Sequence, residues 1–239
     1  MSSTLPRSRF RWTASILVGL AVIAAAGWWA TNTPLFDLRT LTVSGNRHLS
    51  DAAVARLAGL SSSTNVMWLR TDALAERIER DPWVLRASVS RTLPATVTVS
   101  IEERSAVAIV ESGRVLLFVS GDGVVLGRAR AGASARLPAI ALPGAPMAMG
   151  TRIARAPAVL VVARSLPAGI RAGVERIIQV APDSLILILR NGARVLYGDD
   201  SEADAKGRAL SSLLAWARER GIRADSIDLR SPAAPALLP

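Results

Sequence analysis

The sequence contains no cysteine and only one histidine, His48. A chain without thiols cannot form disulfides, a thiolate zinc site or a cysteine nucleophile. One imidazole also excludes a multi-histidine metal cluster and leaves little room for a Ser/His/Asp triad. These absences argue against a metalloenzyme or a thiol enzyme. We therefore predict no catalytic site, no metal site and no cofactor.

Lysine is almost absent as well. The chain has 29 Lys plus Arg residues, of which only Lys206 is a lysine, against 19 Asp plus Glu, for a net charge of +10. A surface that binds phosphate can use both kinds of basic side chain. Here the arginines are spread along the chain instead of forming a cluster. The excess of arginine therefore indicates a compositional bias of the genome and not a binding surface. We predict no nucleic-acid partner.

The first 36 residues lack acidic side chains, and residues 12–36 carry no charge of either sign. As a helix, this uncharged segment would rise about 37 Å, enough to cross a hydrocarbon core of about 30 Å. Arg7, Arg9 and Arg11 precede it, and basic residues before a span keep the N-terminus in the cytoplasm. The pattern predicts a cytoplasmic tail over 1–11 and a transmembrane helix over 12–36. The predicted anchor side chains are Ile16, Leu17, Val18, Leu20, Val22, Ile23, Trp28 and Trp29.

A cleavable signal peptide is the competing interpretation of this segment, with Ala24-Ala25-Ala26 as the small-residue cleavage site. The bulky Trp28-Trp29 pair and the continued lack of charge favour an uncleaved anchor. Under either interpretation the rest of the chain lies outside the cytoplasmic membrane. With an uncleaved anchor, we predict a single-pass type II protein of the cytoplasmic (inner) membrane with extracytoplasmic C-terminal domains.

Residues 37–104 predict a small α+β domain with the order strand, helix, helix, strand, strand. Ser50 and Thr71 are expected to cap the two helices, because a side-chain oxygen there can accept from a free N–H of the first turn. Apolar residues alternate with polar ones from Val97 to Ile101, so one face of that strand should be buried. The last two strands are expected to form a hairpin.

From residue 105 the pattern changes to strands, and we predict a mostly antiparallel β domain over 105–230 with a C-terminal helix and strand. Asn191-Gly192 is the strongest hairpin signal in the chain. Residues 128–158 show no period and predict a long surface loop, while the proline-rich residues 231–239 predict a flexible tail. The strand from Ser226 to Leu229 would then be the last element of its sheet.

Two ordered sets of motifs carry a family resemblance. The first set is Pro82-Trp83-Val84, Val89-Ser90-Arg91, Leu93-Pro94 and Ile101-Glu102-Glu103-Arg104, and the second is Tyr197-Gly198-Asp199, Lys206 and Ile227-Asp228-Leu229-Arg230. The first set resembles the membrane-proximal POTRA domain of the FtsQ/DivIB cell-division proteins, and the second resembles that family's second domain. The chain departs from the pattern at the first hairpin, where Ser120 stands in place of the family's usual Asp and Asp122 comes later.

This resemblance implies a non-enzymatic, membrane-anchored scaffold of the bacterial divisome, placed at the division septum. Members of the family are understood to bind small bitopic coiled-coil partners, FtsB- and FtsL-like, and to help control septal cell-wall synthesis. The implied partners are therefore FtsB/FtsL-like proteins, other divisome components and the membrane.

A partner-binding site at the final strand is a hypothesis that follows from the strand's position. A strand at the edge of a sheet has unpaired N–H and C=O groups, to which an extended partner segment can add. The candidate residues are Ser226, Ile227, Asp228, Leu229 and Arg230, together with Glu103. The alternative is that Asp228 and Arg230 only tie down the end of the chain.

Lys206 and Trp83 are expected to have structural roles. Lys206 interrupts the apolar face of the last helix, so its stem should be buried while its ammonium reaches Asp199 or Asp200. A recognition charge at a partner surface is the alternative for this lysine. Trp83 follows Pro82 directly and is predicted to lie in the core.

Two other functions are open at this point. A membrane-anchored cell-envelope hydrolase would need a positioned carboxylate pair or an activated nucleophile, whereas the adjacent Glu102 and Glu103 should point to opposite faces of their strand. A POTRA-type assembly or secretion chaperone would need repeated POTRA units or a following barrel of alternating strands. The sequence shows neither pattern.

Overall fold

The computed structural model describes the chain in two compact units. The described residues are 7–112, 115–129, 132–133, 136–141, 147–153, 157–223 and 225–238, with side chains described from residue 16 onward. The first unit contains the residues up to Arg80 together with Arg86–Glu103, and the second contains Asp81–Leu85 together with the chain from Arg104. The side chains of Arg7, Arg9 and Arg11, which determine the predicted topology, lie outside the described residues.

Helix α1 (Arg7–Thr31) contains most of the segment predicted as a membrane anchor. All the predicted anchor side chains are more than half exposed, from Leu20 at 58% to Trp29 at 75%. Among the described residues, however, no helix combines the length and the hydropathy that crossing a membrane requires. The structure therefore does not support the transmembrane helix predicted over 12–36.

The first unit has the predicted order of strand, helix, helix, strand, strand. Its elements are β1 (Thr40–Ser44), α2 (Asp51–Ala58), α3 (Thr71–Glu79), β2 (Val84–Thr92) and β3 (Thr96–Glu103). The strands form one sheet in the order β1-β3-β2, with β1 parallel to β3. β2 and β3 are hydrogen-bonded neighbours joined by a short turn that contains Pro94, which confirms the predicted hairpin. The alternate residues from Val97 to Ile101 are buried, as predicted.

Of the two predicted helix caps, Ser50 before α2 is confirmed and Thr71 at α3 is not. Ser50 has an extended backbone, and its Oγ accepts a hydrogen bond from the Ala53 N–H at 3.2 Å, as predicted. Thr71 is itself the first residue of α3, and Arg70 takes the N-cap position without a side-chain hydrogen bond. The prediction for Thr71 is therefore wrong, since a capping residue must precede the helix with an extended backbone.

Arg91, one of the motif residues, stabilises the segment that leads into α3. Its Nη1 donates hydrogen bonds to the carbonyls of Val66 and Leu69, each at 3.1 Å, and to that of Met67. A planar guanidinium presents several donors in fixed directions, which suits a cluster of carbonyl acceptors. Arg91 thus has a structural role within the first unit.

The second unit is built around a nine-stranded sheet. Its elements are β4 (Ala106–Ser112), β5 (Val115–Ser120), β6 (Val125–Arg128), β7 (Ala139–Ile140), α4 (Ala158–Ser165), α5 (Ala168–Gly173), β8 (Val174–Ala181), β9 (Ser184–Leu189), β10 (Arg194–Gly198), α6 (Ala203–Glu219), β11 (Ser226–Asp228) and β12 (Ala236–Leu238). The described strands follow the order β12-β11-β10-β9-β8-β7-β4-β5-β6. Most neighbours are antiparallel, as predicted, including the β9–β10 hairpin at Asn191-Gly192.

The exceptions to this antiparallel pattern are β7, which is parallel to β4 and β8, and β11, which is parallel to β10. Parallel neighbours need a crossover connection. α4 and α5 connect β7 to β8, and α6 connects β10 to β11. These helices supply the apolar side chains Val159, Leu160, Val162, Ala163 and Leu210 to the core of the unit.

Strand β7 corrects the prediction of a surface loop over 128–158. It lies between β4 and β8, and Ile140 is buried in the core. Two residues are too few to show a period of two, so no sequence pattern could reveal the strand. Its position is determined by the neighbouring strands and by the crossover that follows.

Arg104 connects Pro82 and the first residue of β2 to the β5–β6 turn within the second unit. It donates to the carbonyls of Pro82, at 3.0 Å, and Val84, and its Nε donates to Asp122 at 2.9 Å. Partial burial raises the pKa of Asp122, but hydrogen bonds from Ser120 and Arg104 outweigh it and hold the pKa below its usual value. The ion pair between Arg104 and Asp122 therefore fixes the β5–β6 turn, where the chain departs from the family pattern.

Trp83 is half-buried instead of lying in a core. Its ring meets that of Phe118 edge-on, with the ring centroids 5.9 Å apart. The prediction of a core tryptophan is wrong, because part of the indole is accessible to solvent. Edge-to-face contacts of this kind stabilise aromatic pairs without full burial.

Candidate partner-binding site

The C-terminal side of the nine-stranded sheet consists of β10, β11 and β12. β11 is held firmly on β10: the Leu229 N–H donates to the Leu196 carbonyl at 2.8 Å, and the Arg194 N–H donates to the Asp225 carbonyl at 2.9 Å. Ile227 and Leu229 are 1% and 0% exposed. Two of the five candidate residues on this segment are therefore core side chains.

β11 is not the edge strand that its position in the sequence predicts. β12 pairs with it antiparallel, with Ile227 opposite Leu237 and Ser226 opposite Leu238. The predictions of an uncovered β11 and of a flexible tail over 231–239 are both wrong for this reason. Prolines before residue 236 indicate an irregular segment, and the three residues of β12 are too few to show alternation.

The candidate residues Asp228 and Arg230 form an ion pair with each other. Arg230 donates through Nη2 to Oδ2 at 2.5 Å and through Nε to Oδ1 at 3.0 Å. The Arg230 N–H donates to the same Oδ1 at 3.1 Å. The hydrogen bonds from Arg230 lower the pKa of Asp228 to about 2. The pair fixes the chain where β11 ends, and its role in binding a partner stays a prediction.

Two clefts flank β12 in the second unit. The inner cleft has a volume of about 410 Å³ and is lined by Ile170, Leu214, Ile227 and other residues. The outer cleft, about 650 Å³, lies between α6 and the tail and is lined by Leu213, Trp216, Pro232 and Pro235 among others. Leu237 of β12 lines both clefts.

Trp216 on α6 is the exposed aromatic residue at this surface. Its side chain is 42% exposed, and Arg220 lies over its ring, with Cζ 4.6 Å from the ring centroid. Tryptophan and arginine are enriched among the residues that dominate binding energy at interfaces. Neither residue was among the sequence-based candidates, although a tryptophan beside the apolar stripe of a helix is a signal that could have identified it.

Lys206 is buried at the start of α6, with the predicted partner. Its Nζ donates to Asp199 Oδ1 at 2.7 Å and to the Asp199 carbonyl at 3.0 Å. The side chain is only 1% exposed, and Nζ lies 5.3 Å from the centroid of the Tyr197 ring. The prediction of an ammonium reaching Asp199 is confirmed. The hydrogen bond from Lys206 also holds the pKa of Asp199 below its usual value.

Tyr197 provides a test of this buried environment, because it is the only tyrosine of the chain. Burial raises its pKa to about 12, and its hydroxyl donates to the Ala203 carbonyl at 2.9 Å. We expect tyrosinate absorbance to appear near pH 12 in the folded chain and near pH 10 after denaturation. A native titration near pH 10 would contradict the burial.

The raised pKa of Tyr197 makes the free energy of unfolding depend on pH. The unfolded chain loses the Tyr197 proton first, so the stabilisation is complete below pH 10 and is lost as the pH rises through about 12. A shift of this size corresponds to about 2–3 kcal/mol. Tyr197→Phe should remove this part of the alkaline loss, as measured by denaturant unfolding between those pH values.

Glu103, the remaining candidate, belongs to the first unit. Its carboxylate accepts hydrogen bonds from the His48 N–H at 2.7 Å and the Leu49 N–H at 3.0 Å. It therefore fixes the turn before α2. The structure does not place Glu103 on the strand that carries the other candidates, and its role in binding stays a prediction.

No group of three or more His, Asp or Glu side chains that could hold a metal ion occurs in the part of the chain that the structure describes. Two ion pairs join residues of the chain itself, Asp228 with Arg230 and Asp199 with Lys206. The arrangement offers main-chain and apolar groups, which suit the binding of an extended peptide segment.

Comparison with known proteins assigns both units to described families. Residues 36–104 match the family described as "POTRA domain, FtsQ-type", and residues 108–230 match "Cell division protein FtsQ/DivIB, C-terminal". The second match ends at Arg230, so β12 lies beyond it.

Individual relatives agree with these matches. The chain is 27% identical over 219 residues to Cell division protein FtsQ of Myxococcus fulvus, covering 89% of this chain and 76% of the relative. It is 31% identical over 221 residues to Cell division protein FtsQ of Mycolicibacterium smegmatis, covering 89% of this chain and 63% of the relative. The match therefore spans less than two thirds of the second relative's length.

One solved structure is also similar, the major extracytoplasmic domain of the trans isomer of the cell division protein DivIB from Geobacillus stearothermophilus. It has a TM-score of 0.33 and 17% identity, and the match covers 51% of this chain and 99% of that chain. At that TM-score the similarity adds nothing to the assignment, which rests on the sequence matches.

Proposed function

The chain belongs to the FtsQ/DivIB family of cell-division proteins, and from this membership we propose that it is a non-enzymatic scaffold of the bacterial divisome. Its task would be to bind small bitopic coiled-coil proteins of the FtsB and FtsL kind and so to help control septal cell-wall synthesis.

The observation that carries this proposal is the terminal edge of the second unit. We define the terminal edge as Ser226–Arg230 together with β12. Among the described strands, β12 comes last in the sheet order. An extended partner segment could form main-chain hydrogen bonds there, while the clefts beside Leu237 and Trp216 receive its side chains.

Membrane attachment is part of the proposal. Its support is the run of apolar side chains exposed along α1, from Ile16 to Trp29. Exposed apolar area of this extent is costly in water and favourable in lipid. We infer that α1 anchors the protein in the cytoplasmic membrane, with the N-terminus in the cytoplasm and both units outside.

Depletion of the protein from growing cells is the experiment that tests this function. We expect filaments with failed septa, and recovery when the unaltered chain is supplied, because a scaffold is needed for assembly of the division site. The protein should sediment with membranes after carbonate extraction, and a pull-down from detergent-solubilised membranes should recover small coiled-coil division proteins.

Normal septation with altered wall turnover would contradict the scaffold function and favour a cell-envelope hydrolase. A protein that leaves the membrane under carbonate would contradict the anchor alone. A pull-down that recovers outer-membrane assembly factors in place of division proteins would favour a POTRA-type chaperone.

A further inference from the structure

We propose that the first unit binds the membrane surface directly: the end of this unit that adjoins α1 rests on the headgroup layer of an anionic phospholipid bilayer. We define this end, the proximal surface, by the exposed apolar side chains of Leu35, Trp68 and Leu93. The inference rests on the membrane attachment of α1 proposed above. It goes further, because it assigns a lipid-binding surface to the first unit itself.

The three side chains come from separate segments that hydrogen bonds hold together. The segment before β1 is bonded to the loop before α3, since the Val66 N–H donates to the Phe36 carbonyl at 2.8 Å. The same segment meets the β2–β3 turn, where the Arg39 N–H donates to the Ala95 carbonyl at 3.0 Å. Arg91, near the end of β2, donates to three carbonyls of the loop before α3. Leu35, Trp68 and Leu93 therefore lie at the same end of the unit.

Exposed large apolar side chains are concentrated at this end. Among the described residues of the first unit after α1, only Leu35, Trp68 and Leu93 are large, apolar and exposed, by 53%, 54% and 49%. Single exposed apolar side chains are ordinary on protein surfaces. Three that gather at one end of a small unit form a patch, and such patches mark interaction sites.

The end of α1 indicates that a bilayer covers this patch. Asn65 Nδ2 donates to the carbonyl of Thr31, the last residue of α1, at 2.8 Å. The ring centroid of Trp68 lies 5.7 Å from that of Trp28, and Trp28 and Trp29 are themselves 63% and 75% exposed. Tryptophan is enriched at membrane–water interfaces because its ring is amphipathic. With α1 in the bilayer, as proposed, the three tryptophans share the headgroup layer.

The charges near the patch favour anionic headgroups. In residues 32–39, 64–70 and 91–95 the charged side chains are Arg39, Arg70, Arg91 and Asp37, of which Asp37 is half-buried. Asp72, in the first turn of α3, is the next acidic residue. Basic side chains close to an anionic bilayer strengthen its binding, and a guanidinium suits the phosphate group in particular. The proximal surface therefore combines interfacial tryptophan with exposed arginine.

The test uses the lack of cysteine, which lets a single label be placed in the full chain. Thr92→Cys places a fluorophore beside the proximal surface, and Arg47→Cys places it near the opposite end of the sheet as the matched control; both positions are exposed. The eight residues of β3 separate these ends by about 23 Å. The chains are reconstituted in vesicles of phosphatidylethanolamine and phosphatidylglycerol that contain a headgroup-nitroxide lipid as the quencher. Quenching at position 92 should be at least about twofold stronger than at position 47.

Replacing Trp68 with serine in the Thr92→Cys chain should lower this quenching by about half, because the interfacial ring is lost. Trp68→Tyr should restore it, since tyrosine also favours the interface. Leu116→Ser removes an exposed apolar side chain of the second unit and should leave the quenching unchanged. Trp68 is exposed, so the melting temperature of the Trp68→Ser chain should match that of the unaltered chain.

The lipid composition tests the role of charge. Vesicles in which phosphatidylcholine replaces phosphatidylglycerol should quench position 92 less, because the exposed arginines lose their anionic partners. Equal quenching in both kinds of vesicle would overturn the anionic preference.

Equal quenching at positions 92 and 47 would overturn the proposal. Protection of position 92 from a water-soluble quencher only when division proteins are reconstituted with the chain would overturn it too, in favour of a protein partner. Carbonate extraction separates this inference from the proposed function. Retention in the membrane with equal quenching leaves the α1 anchor and overturns only the proximal surface. Release by carbonate with strong quenching at position 92 overturns the anchor and supports the proximal surface as a peripheral contact.

Discussion

Replacing Gly45 with alanine is expected to destabilise the first unit by about 3–5 kcal/mol, the largest effect that we anticipate for a single methyl group. Gly45 follows β1 with φ of +82°, where a residue with a Cβ is strained by about 1–2 kcal/mol. An added Cβ would also lie 1.9 Å from the Ile101 carbonyl oxygen. That oxygen belongs to β3, the central strand of its sheet, so it cannot move aside without disturbing both neighbours.

Gly192→Ala is the matched control for this substitution. Gly192 has φ of +90°, yet an added Cβ would meet no atom within 4 Å. The Gly192→Ala variant should therefore be destabilised only by backbone strain, by about 1–2 kcal/mol. Denaturant unfolding of both variants measures the difference. Equal losses would show that the Ile101 carbonyl yields freely, against the position of β3 in the centre of the sheet.

Replacing Asp199 with alanine is expected to cost about 3 kcal/mol, because it leaves the buried ammonium of Lys206 without its carboxylate. The side chain of Lys206 is 1% exposed, so water cannot readily replace the lost partner. The Asp199 carbonyl and the Tyr197 ring would still contact the ammonium, which keeps the cost at the lower end of the range for a broken buried pair.

Lys206→Met should be much milder, because it removes the buried charge and keeps an unbranched apolar side chain of similar length. The carboxylate of Asp199 is 46% exposed and can be hydrated when the lysine is gone. Thermal unfolding of both single variants and of the double variant measures the coupling between the two residues. A Lys206→Met variant as unstable as Asp199→Ala would show that the ammonium itself holds the start of α6.

The sequence predicts the first unit well because its elements are long enough to show their periods. Ser50 provides the cap of α2, and the apolar positions from Val97 to Ile101 alternate as a half-buried strand should. The N-cap of α3 lies one position before the predicted Thr71, since a threonine at the first helical residue looks the same in sequence as one at the cap. Such boundary errors are expected from single-sequence patterns.

The second unit is less predictable because tertiary pairing determines its short strands. β7 and β12 have two and three residues, so neither contains a readable alternation. Their positions depend on neighbours that are distant in sequence. The ion pair of Lys206 could be predicted, because a single lysine within an apolar helix face needs a nearby acidic partner.

The candidate site shows the same contrast between features that a sequence pattern predicts and features that depend on tertiary pairing. The motif from Ile227 to Arg230 indicates the correct region of the sheet, but β12, which lies against it, leaves no pattern in the sequence. Leu237, which lines both clefts, could be identified only from the structure, whereas Trp216 lies beside the apolar stripe of α6 and leaves a signal in the sequence. The family resemblance predicts a role in cell division, whereas the geometry of the terminal edge is visible only in the structure.

The parallel pairing of β10 with β11 limits where the chain can vary in length. Because α6 connects these two neighbours, its number of turns determines which residue of β11 lies opposite Val195. A single inserted residue in α6 would rotate the rest of the helix by about 100° and move Leu210 or Ala217 off the core face. Insertions between Arg230 and Ala236 would only lengthen an irregular connection. Changes in length are therefore tolerated in the segment that follows Arg230, while α6 and the strands that it connects keep a fixed length.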